Sequence, residues 1–125
     1  MTQKEEYNMY TYNAKLDRVV DGDTIDALVD LGFDTWKKVR IRMHGIDAWE
    51  SRTRDLEEKE KGLDAKNRLI ELLENNHNEF ILVSHGVGKF GRCLGEIFLS
   101  PGDDSINNLL IAEGHAKEYY GGSRN

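Results

Sequence analysis

The sequence predicts a mainly β domain with helices (α+β), built as a five-stranded Greek-key barrel of the OB type. Three observations carry that expectation. Alternating apolar and polar segments joined by short turns run from Tyr10 to Ile46; leucines at helical spacing lead up to Glu74; and two more β-like segments precede a short capped helix. Strands in the order meander, helix, two strands, helix fit this barrel, and closure removes the exposed edges an open sheet would leave.

Residues 1–9 are polar and read as a frayed start. Tyr10 to Val20 reads as the first strand, with Tyr10, Tyr12, Ala14, Leu16 and Val20 on or near one face. Asp21-Gly22-Asp23-Thr24 is a hairpin signal, and Ile25 to Leu31 is the returning strand. After a turn at Gly32-Phe33-Asp34, the third strand spans Thr35 to Ile46; Val39, Ile41 and Met43 alternate with Arg40, Arg42 and His44, until Gly45 breaks the pattern. Ser51 to Lys61 is densely charged, and its run from Asp55 to Lys61 reads as a solvated helix face or loop. Leu63, Ala65, Leu69, Leu72 and Leu73 place a helix that begins at Leu56 or Gly62 and ends at Glu74. Phe80 to Val83 is a buried strand, Gly86 to Gly91 a glycine-rich turn, and Arg92 to Leu99 the fifth strand. Ser105 suits the N-cap of a second helix, with Ile106, Leu109 and Leu110 inward and Gly114 at its end. With no repeat or linker, residues 1–125 form one domain and 121–125 a tail.

Composition narrows the function classes. The 17 Lys+Arg against 23 Asp+Glu leave a net charge of -6, which argues against gripping nucleic acid by bulk electrostatics. Any such role needs a local positive site, a bound cation, or both. No run approaches the roughly 18 apolar residues of a membrane span, and the polar N-terminus has no secretory h-region. Cys93 is alone, so no intramolecular disulfide forms, which fits a reducing compartment. The expectation is a cytoplasmic monomer without membrane contact.

The stretch Val39 to Arg52 concentrates the candidate chemistry. An arginine on a strand, followed by Asp47 and Glu50, supplies a phosphate anchor, a metal ligand and a base in a small volume. Asp21 and Asp23 read first as turn residues around Gly22; the alternative is that Asp23 points a hard oxygen at a divalent cation near Asp47. Arg42 and Arg92 read as surface cations or as planar donors that offset charge building on a phosphorus centre. Glu50 is a solvated carboxylate, or positions and deprotonates a water beside the cation. His44, His77, His85 and His115 lack zinc-ligand spacing, and Gly86-Val-Gly-Lys-Phe-Gly has the wrong spacing for a Walker loop. Tyr119 and Tyr120 suit the core or rim, or a stack on a base.

Taken together, Val20-Asp-Gly-Asp-Thr, Arg42 with Ile46-Asp-Ala-Trp-Glu, Gly88-Lys-Phe-Gly-Arg and Asn107-Asn-Leu-Leu-Ile-Ala-Glu-Gly-His-Ala resemble the staphylococcal nuclease (thermonuclease) family, in order and over nearly the whole chain. The resemblance implies an OB-fold, calcium-dependent nuclease that hydrolyses single-stranded or locally melted DNA and RNA with little sequence preference and leaves 3'-phosphates. It implies that Asp23, Asp47 and the backbone carbonyl of Ala48 bind Ca2+, that Arg42 and Arg92 bind phosphate, and that Glu50 is the general base. Lys89, Phe90 and Tyr120 match nucleotide-contacting positions, and Asp21 a supporting acid.

Three features depart from the family pattern. Trp49 replaces the usual proline, so the loop that places Glu50 loses a fixed φ and gains a bulky ring. Phe90 stands where tyrosine is common, which removes a hydroxyl. The Tyr119-Tyr120-Gly-Gly-Ser-Arg ending resembles compact bacterial or bacteriophage relatives, compatible with a phage protein acting in a host cell. Two rival classes follow from the same residues: a catalytically silent OB module that binds nucleic acid or peptides, and an interaction protein suited to the net charge of -6.

Overall fold

The computed structural model describes residues 10–50 and 54–119; the side chain of Lys89 lies outside that description. The first three strands form the expected antiparallel meander: β1 (Thr11–Asp21), β2 (Thr24–Asp30) and β3 (Trp36–Met43). After α1 (Leu56–Glu74) come two strands of the same sheet. These are β5 (Glu79–Val87) and β6 (Cys93–Phe98); a short strand, β4 (Ile46–Ala48), precedes the helix. The barrel order is β1-β2-β3-β6-β5, closed by the antiparallel β1–β5 pair, with β3 and β6 parallel. Helix α2 (Ile106–Ala112) and β7 (Ala116–Glu118) complete the described chain. Among the described residues no helix is long and apolar enough to cross a membrane.

The core follows the sequence pattern with instructive shifts. Ile25, Ala27, Ile41, Met43, Leu82 and Ile97 fill the barrel; Leu69 and Leu73 from α1 and Ile106 and Leu110 from α2 close it. In β1 the register slips between Leu16 and Arg18, a bulge that turns both Asp17 and Arg18 outward. As a result Val19, and not Val20, enters the core. Helix α1 takes the longer of the two expected extents, because Asp55 caps it by accepting hydrogen bonds from the backbone N–H groups of Glu57 and Glu58. Its inner face runs Gly62, Ala65, Leu69, Leu72, Leu73, while Leu63 is 41% exposed, one position off the stripe.

Three boundaries differ from the sequence reading. The third strand ends at Met43: Gly45, at φ 82°, reverses the chain, and Ile46–Ala48 becomes a separate strand paired antiparallel with Ala116–Glu118. That second small sheet was not expected. Strand β5 runs on to Val87, past Gly86, which sits at φ 110° in a register break and not in a turn. The turn itself is tighter, closed by Gly88 N donating to Arg92 O at 2.8 Å.

On the outer face, the register sets Asp26 opposite Arg40, and the bulge brings Arg18 to the same carboxylate. Arg40 donates through Nε to Oδ1 at 2.8 Å and through Nη2 to Oδ2 at 3.1 Å; Arg18 donates from Nε to Oδ2 at 3.0 Å. The hydrogen bond from Arg40 is the main cause, with Arg18 adding to it, that holds the Asp26 carboxyl at about 2 against an ordinary 3.8, despite the opposing effect of burial. The folded value lies below the unfolded one, so this contribution is complete above about pH 4 and is lost as pH falls towards 2. Both arginines are well solvated, so screening reduces it to about 1 kcal/mol. Asp26→Asn is expected to lower stability by that amount at pH 7. In paired urea melts, the gap to the wild type should narrow between pH 4 and 2. A gap independent of pH there would assign the loss to packing.

Candidate active site

The Asp-Gly-Asp turn between β1 and β2 is pinned from two sides. A Cβ on Gly22 would lie 2.8 Å from the Ala65 Cβ of α1 and 3.1 Å from the Ala48 Cβ of β4, so glycine alone lets helix and strand press this close. The pressure fixes Asp23, whose backbone carbonyl accepts from Met43 N at 2.8 Å. Its side chain is committed as well: Oδ1 accepts from Thr24 Oγ1 and Oδ2 from Ala48 N, each at 2.9 Å. The turn, the end of β3 and strand β4 are thereby locked to one another.

Arg42 sits at the centre of this junction. One guanidinium nitrogen, Nη2, lies 3.6 Å from Asp23 Oδ2 and 3.5 Å from Asp47 Oδ1, while Nη1 donates to Met43 O at 2.9 Å. The two aspartates, both 8% exposed, therefore converge on a common point although 24 positions separate them in the chain. Asp47 reaches it because β4 pairs with β7, Asp47 opposite Lys117. The small unexpected sheet is what holds the second carboxylate in place.

Above this floor opens a cleft of about 530 Å³. Of the residues singled out in the sequence, Asp21, Asp23, Arg42, Asp47, Ala48, Glu50, Phe90 and Arg92 all line it. Glu50 is exposed, immediately after Trp49, whose ring lies under Lys61 Nζ at 4.7 Å from the centroid. The bulky ring in place of proline thus leaves Glu50 at the cleft. Phe90, at φ 63° and 90% exposed, also lines the cleft, with the Arg92 guanidinium 5.5 Å from its ring centroid. Tyr120 lies outside the described residues, as does the side chain of Lys89; Tyr119 lines the cleft and donates its backbone N–H to Gly45 O at 2.9 Å.

Two residues at or behind this site were missed from sequence. Arg40 also borders the cleft, and its two-residue spacing from Arg42 on the charged face of β3 was the available signal. Asn107 is the other, 2% exposed in α2: its Oδ1 accepts from Ile97 N at 3.1 Å, and its Nδ2 donates to His44 O at 2.8 Å and Gly95 O at 3.1 Å. The apolar stripe of α2 gives it no role, and the available signal was its place at the head of the fourth block of the family resemblance.

A family model described as staphylococcal nuclease homologue matches residues 40–125. The chain belongs to the staphylococcal nuclease family. It is also similar to a micrococcal nuclease of Shigella flexneri, 31% identical over 119 residues, with 88% of this chain and 61% of that protein covered. The chain therefore spans about three fifths of that relative's length. The converging carboxylates of Asp23 and Asp47 are hard oxygens, the kind of ligand that a cation such as calcium accepts together with carbonyls and water. Among the described residues no cluster of three His, Cys, Asp or Glu side chains is grouped to hold a metal ion. A cation at these two aspartates would keep part of its water shell.

Proposed function

We propose that this chain is a calcium-dependent nuclease that hydrolyses phosphodiester bonds of DNA and RNA with little sequence preference and leaves 3'-phosphate ends. The observation that supports it most is the convergence of Asp23 and Asp47 on Arg42 at the floor of a cleft that Glu50 and Arg92 also line. Five charged side chains that can serve in-line attack on phosphate thus share one cleft.

In this reading Arg42 and Arg92 bind the scissile phosphate through paired N–H donors, which strengthen as negative charge builds on its oxygens. Arg42 is held in advance by its hydrogen bond to Met43 O, so little reorganisation is needed when the phosphate arrives. Glu50 orients a water and accepts its proton as the oxygen attacks phosphorus; the bond to the 5' oxygen breaks, and the proton balance is completed by solvent at the leaving group. Asp23, Asp47 and the Ala48 carbonyl hold the cation, with Asp21 as their support. When bound there, calcium supplies charge neutralisation and polarises the phosphate oxygens. Phe90, Lys89 and Tyr120 contact the nucleotide, and the ring of Phe90 offers a stacking surface without the hydroxyl of a tyrosine.

The test is cleavage of single-stranded DNA with calcium and with chelator. Cutting should require the cation and return when calcium is restored after chelation. Binding of DNA without cutting under any hard cation would replace the nuclease with a silent binding module.

A further inference from the structure

Arg40 borders the cleft but has no part in the mechanism above. It belongs to a row on the outer face of β3, in which Arg42, Arg40, Lys38 and Trp36 follow one another at steps of about 7 Å. Such steps are comparable to the spacing of consecutive phosphates on an extended strand. Neighbouring strands add to the row. Arg18 shares the Asp26 carboxylate with Arg40, and Lys15 Nζ sits 5.3 Å from the centroid of the Trp36 ring. Trp36 is 43% exposed, about 20 Å along the strand from Arg42.

Charge on this face is more balanced than in the chain as a whole. Lys15, Arg18, Lys38 and Arg40 share it with Asp17, Asp26 and Asp30, and Glu79 of β5 stands opposite Lys15, in a protein of net charge -6. The carboxylates are also occupied: Asp26 is shared by two guanidiniums, Asp17 pairs with Lys38 at 3.1 Å, and Asp30 accepts from Gly32 N at 2.8 Å. Arg40 uses Nε and Nη2 on Asp26, so its guanidinium is held in place beside the cleft it borders. An arginine fixed in this way meets a phosphate with little further loss of side-chain freedom.

We propose that the outer face of β1–β3 is an extended subsite for single-stranded nucleic acid, with Arg40, Arg18 and Lys38 following the phosphates away from the cleft and Trp36 stacking a base at the far end. The proposal rests on the nuclease reading and adds the direction in which the substrate leaves the scissile position. A ring backed by a lysine and reached along a cationic row suits a base without selecting among bases. Duplex DNA does not fit the stacking end, because its bases are already paired.

The test is binding of fluorescently labelled, phosphorothioate-linked dinucleotide and decanucleotide in calcium, at several salt concentrations. Trp36→Ala should weaken the decanucleotide about tenfold and leave the dinucleotide unchanged, and Trp36→Phe should restore most of the loss. Arg40→Ala should weaken the decanucleotide and lower the slope of log affinity against log salt by about 0.7. Lys59→Ala, on the exposed side of α1, serves as the control for a lost cation and should match the wild type. If the wild type binds both oligonucleotides while Trp36→Ala and Arg40→Ala behave like it, the subsite is overturned and the cleft reading stands. If the wild type binds neither, the nuclease reading falls and the subsite with it. Polyglutamate binding that depends on Arg40 and Trp36, where the decanucleotide does not, overturns the subsite in favour of an acidic peptide.

Discussion

Glu50→Gln is expected to lower calcium-supported cleavage of DNA by two to three orders of magnitude, and Arg92→Ala by a similar factor, each with a thermal midpoint close to that of the wild type. The amide keeps the size and polarity of Glu50 but cannot accept a proton from water, and a positioned general base is worth about 10²–10⁴ in rate. Glu50 is exposed, so the fold depends little on it. Removal of Arg92 withdraws planar donors from the developing charge, an effect of about 10²–10³. The kinetic signatures differ. Glu50→Gln should lower kcat with KM nearly unchanged, because a proton acceptor matters only as the water attacks. Arg92→Ala should lower kcat and raise KM, since the guanidinium binds the phosphate in the ground state and binds it more strongly as charge builds in the transition state. Arg92→Lys restores the charge without the paired N–H geometry, so it should recover substrate affinity better than turnover. Full activity in Glu50→Gln would remove the base from this residue and leave the water to be activated elsewhere.

How much of this site was legible in the sequence depends on how each residue reaches it. Arg42, Asp47 and Glu50 lie within one short stretch, and Asp23 sits in a turn with its own signature, so local pattern was enough to nominate them. Their convergence stood in the sequence only as an alternative reading and as an implication of the family resemblance; the pairing of β4 with β7 that produces it was not legible. A strand as short as Ala116–Glu118 carries no alternation that a pattern can register; it exists because Ile46–Ala48 offers it an edge. The clasp of Arg18, Asp26 and Arg40 was hidden for a related reason. Asp26 meets Arg40 through the β2–β3 register, and Arg18 joins them only because the bulge at Asp17 rotates the end of β1. The same bulge exchanges Val20 for Val19 in the core and sends Val20 to the cleft. One slipped residue therefore explains both a misplaced core side chain and an unforeseen charged group.

The acidic composition, which argued against nucleic acid, has a local answer in the same geometry. Charge on the remainder of the surface is screened beyond a Debye length of about 8 Å at physiological salt. A strand of nucleic acid lying on β3 meets the arginines of that face first. What the net charge of -6 affects is the approach: long-range steering is weak or repulsive, so the association rate should be low.

Asn107→Ala is expected to destabilise the protein by about 3 kcal/mol, a fall of about 10 °C or more in thermal midpoint for a domain of this size. The side chain is buried and its polar groups match their partners without exception: the carbonyl oxygen takes the N–H of Ile97, and the amide nitrogen gives to the carbonyls of His44 and Gly95. Gly95 O retains a second donor in His44 N at 2.8 Å, so truncation strands chiefly the Ile97 N–H and the His44 carbonyl in a place without ready access to water. Asn107→Leu fills the space and should still be destabilising, which separates the hydrogen bonds from the packing. Asn107→Asp gives a sharper test. Its carboxylate still accepts from Ile97 N but confronts two carbonyl oxygens, so the folded state favours the protonated form and its carboxyl value rises. The sign then follows: the folded chain binds the extra proton, and stability falls as pH rises through the ordinary carboxylate range, making this variant worse at pH 7 than at pH 4. The activity consequence comes through His44, which stands in the turn between the strand bearing Arg42 and the strand bearing Asp47. With that turn released, Asp47 loses its fixed approach to Arg42, and cleavage should decline in Asn107→Ala even at temperatures where the chain remains folded. A variant as stable as the wild type but inactive would place Asn107 in catalysis; one that is unstable yet fully active when folded would show that β4 and β7 hold Asp47 without it.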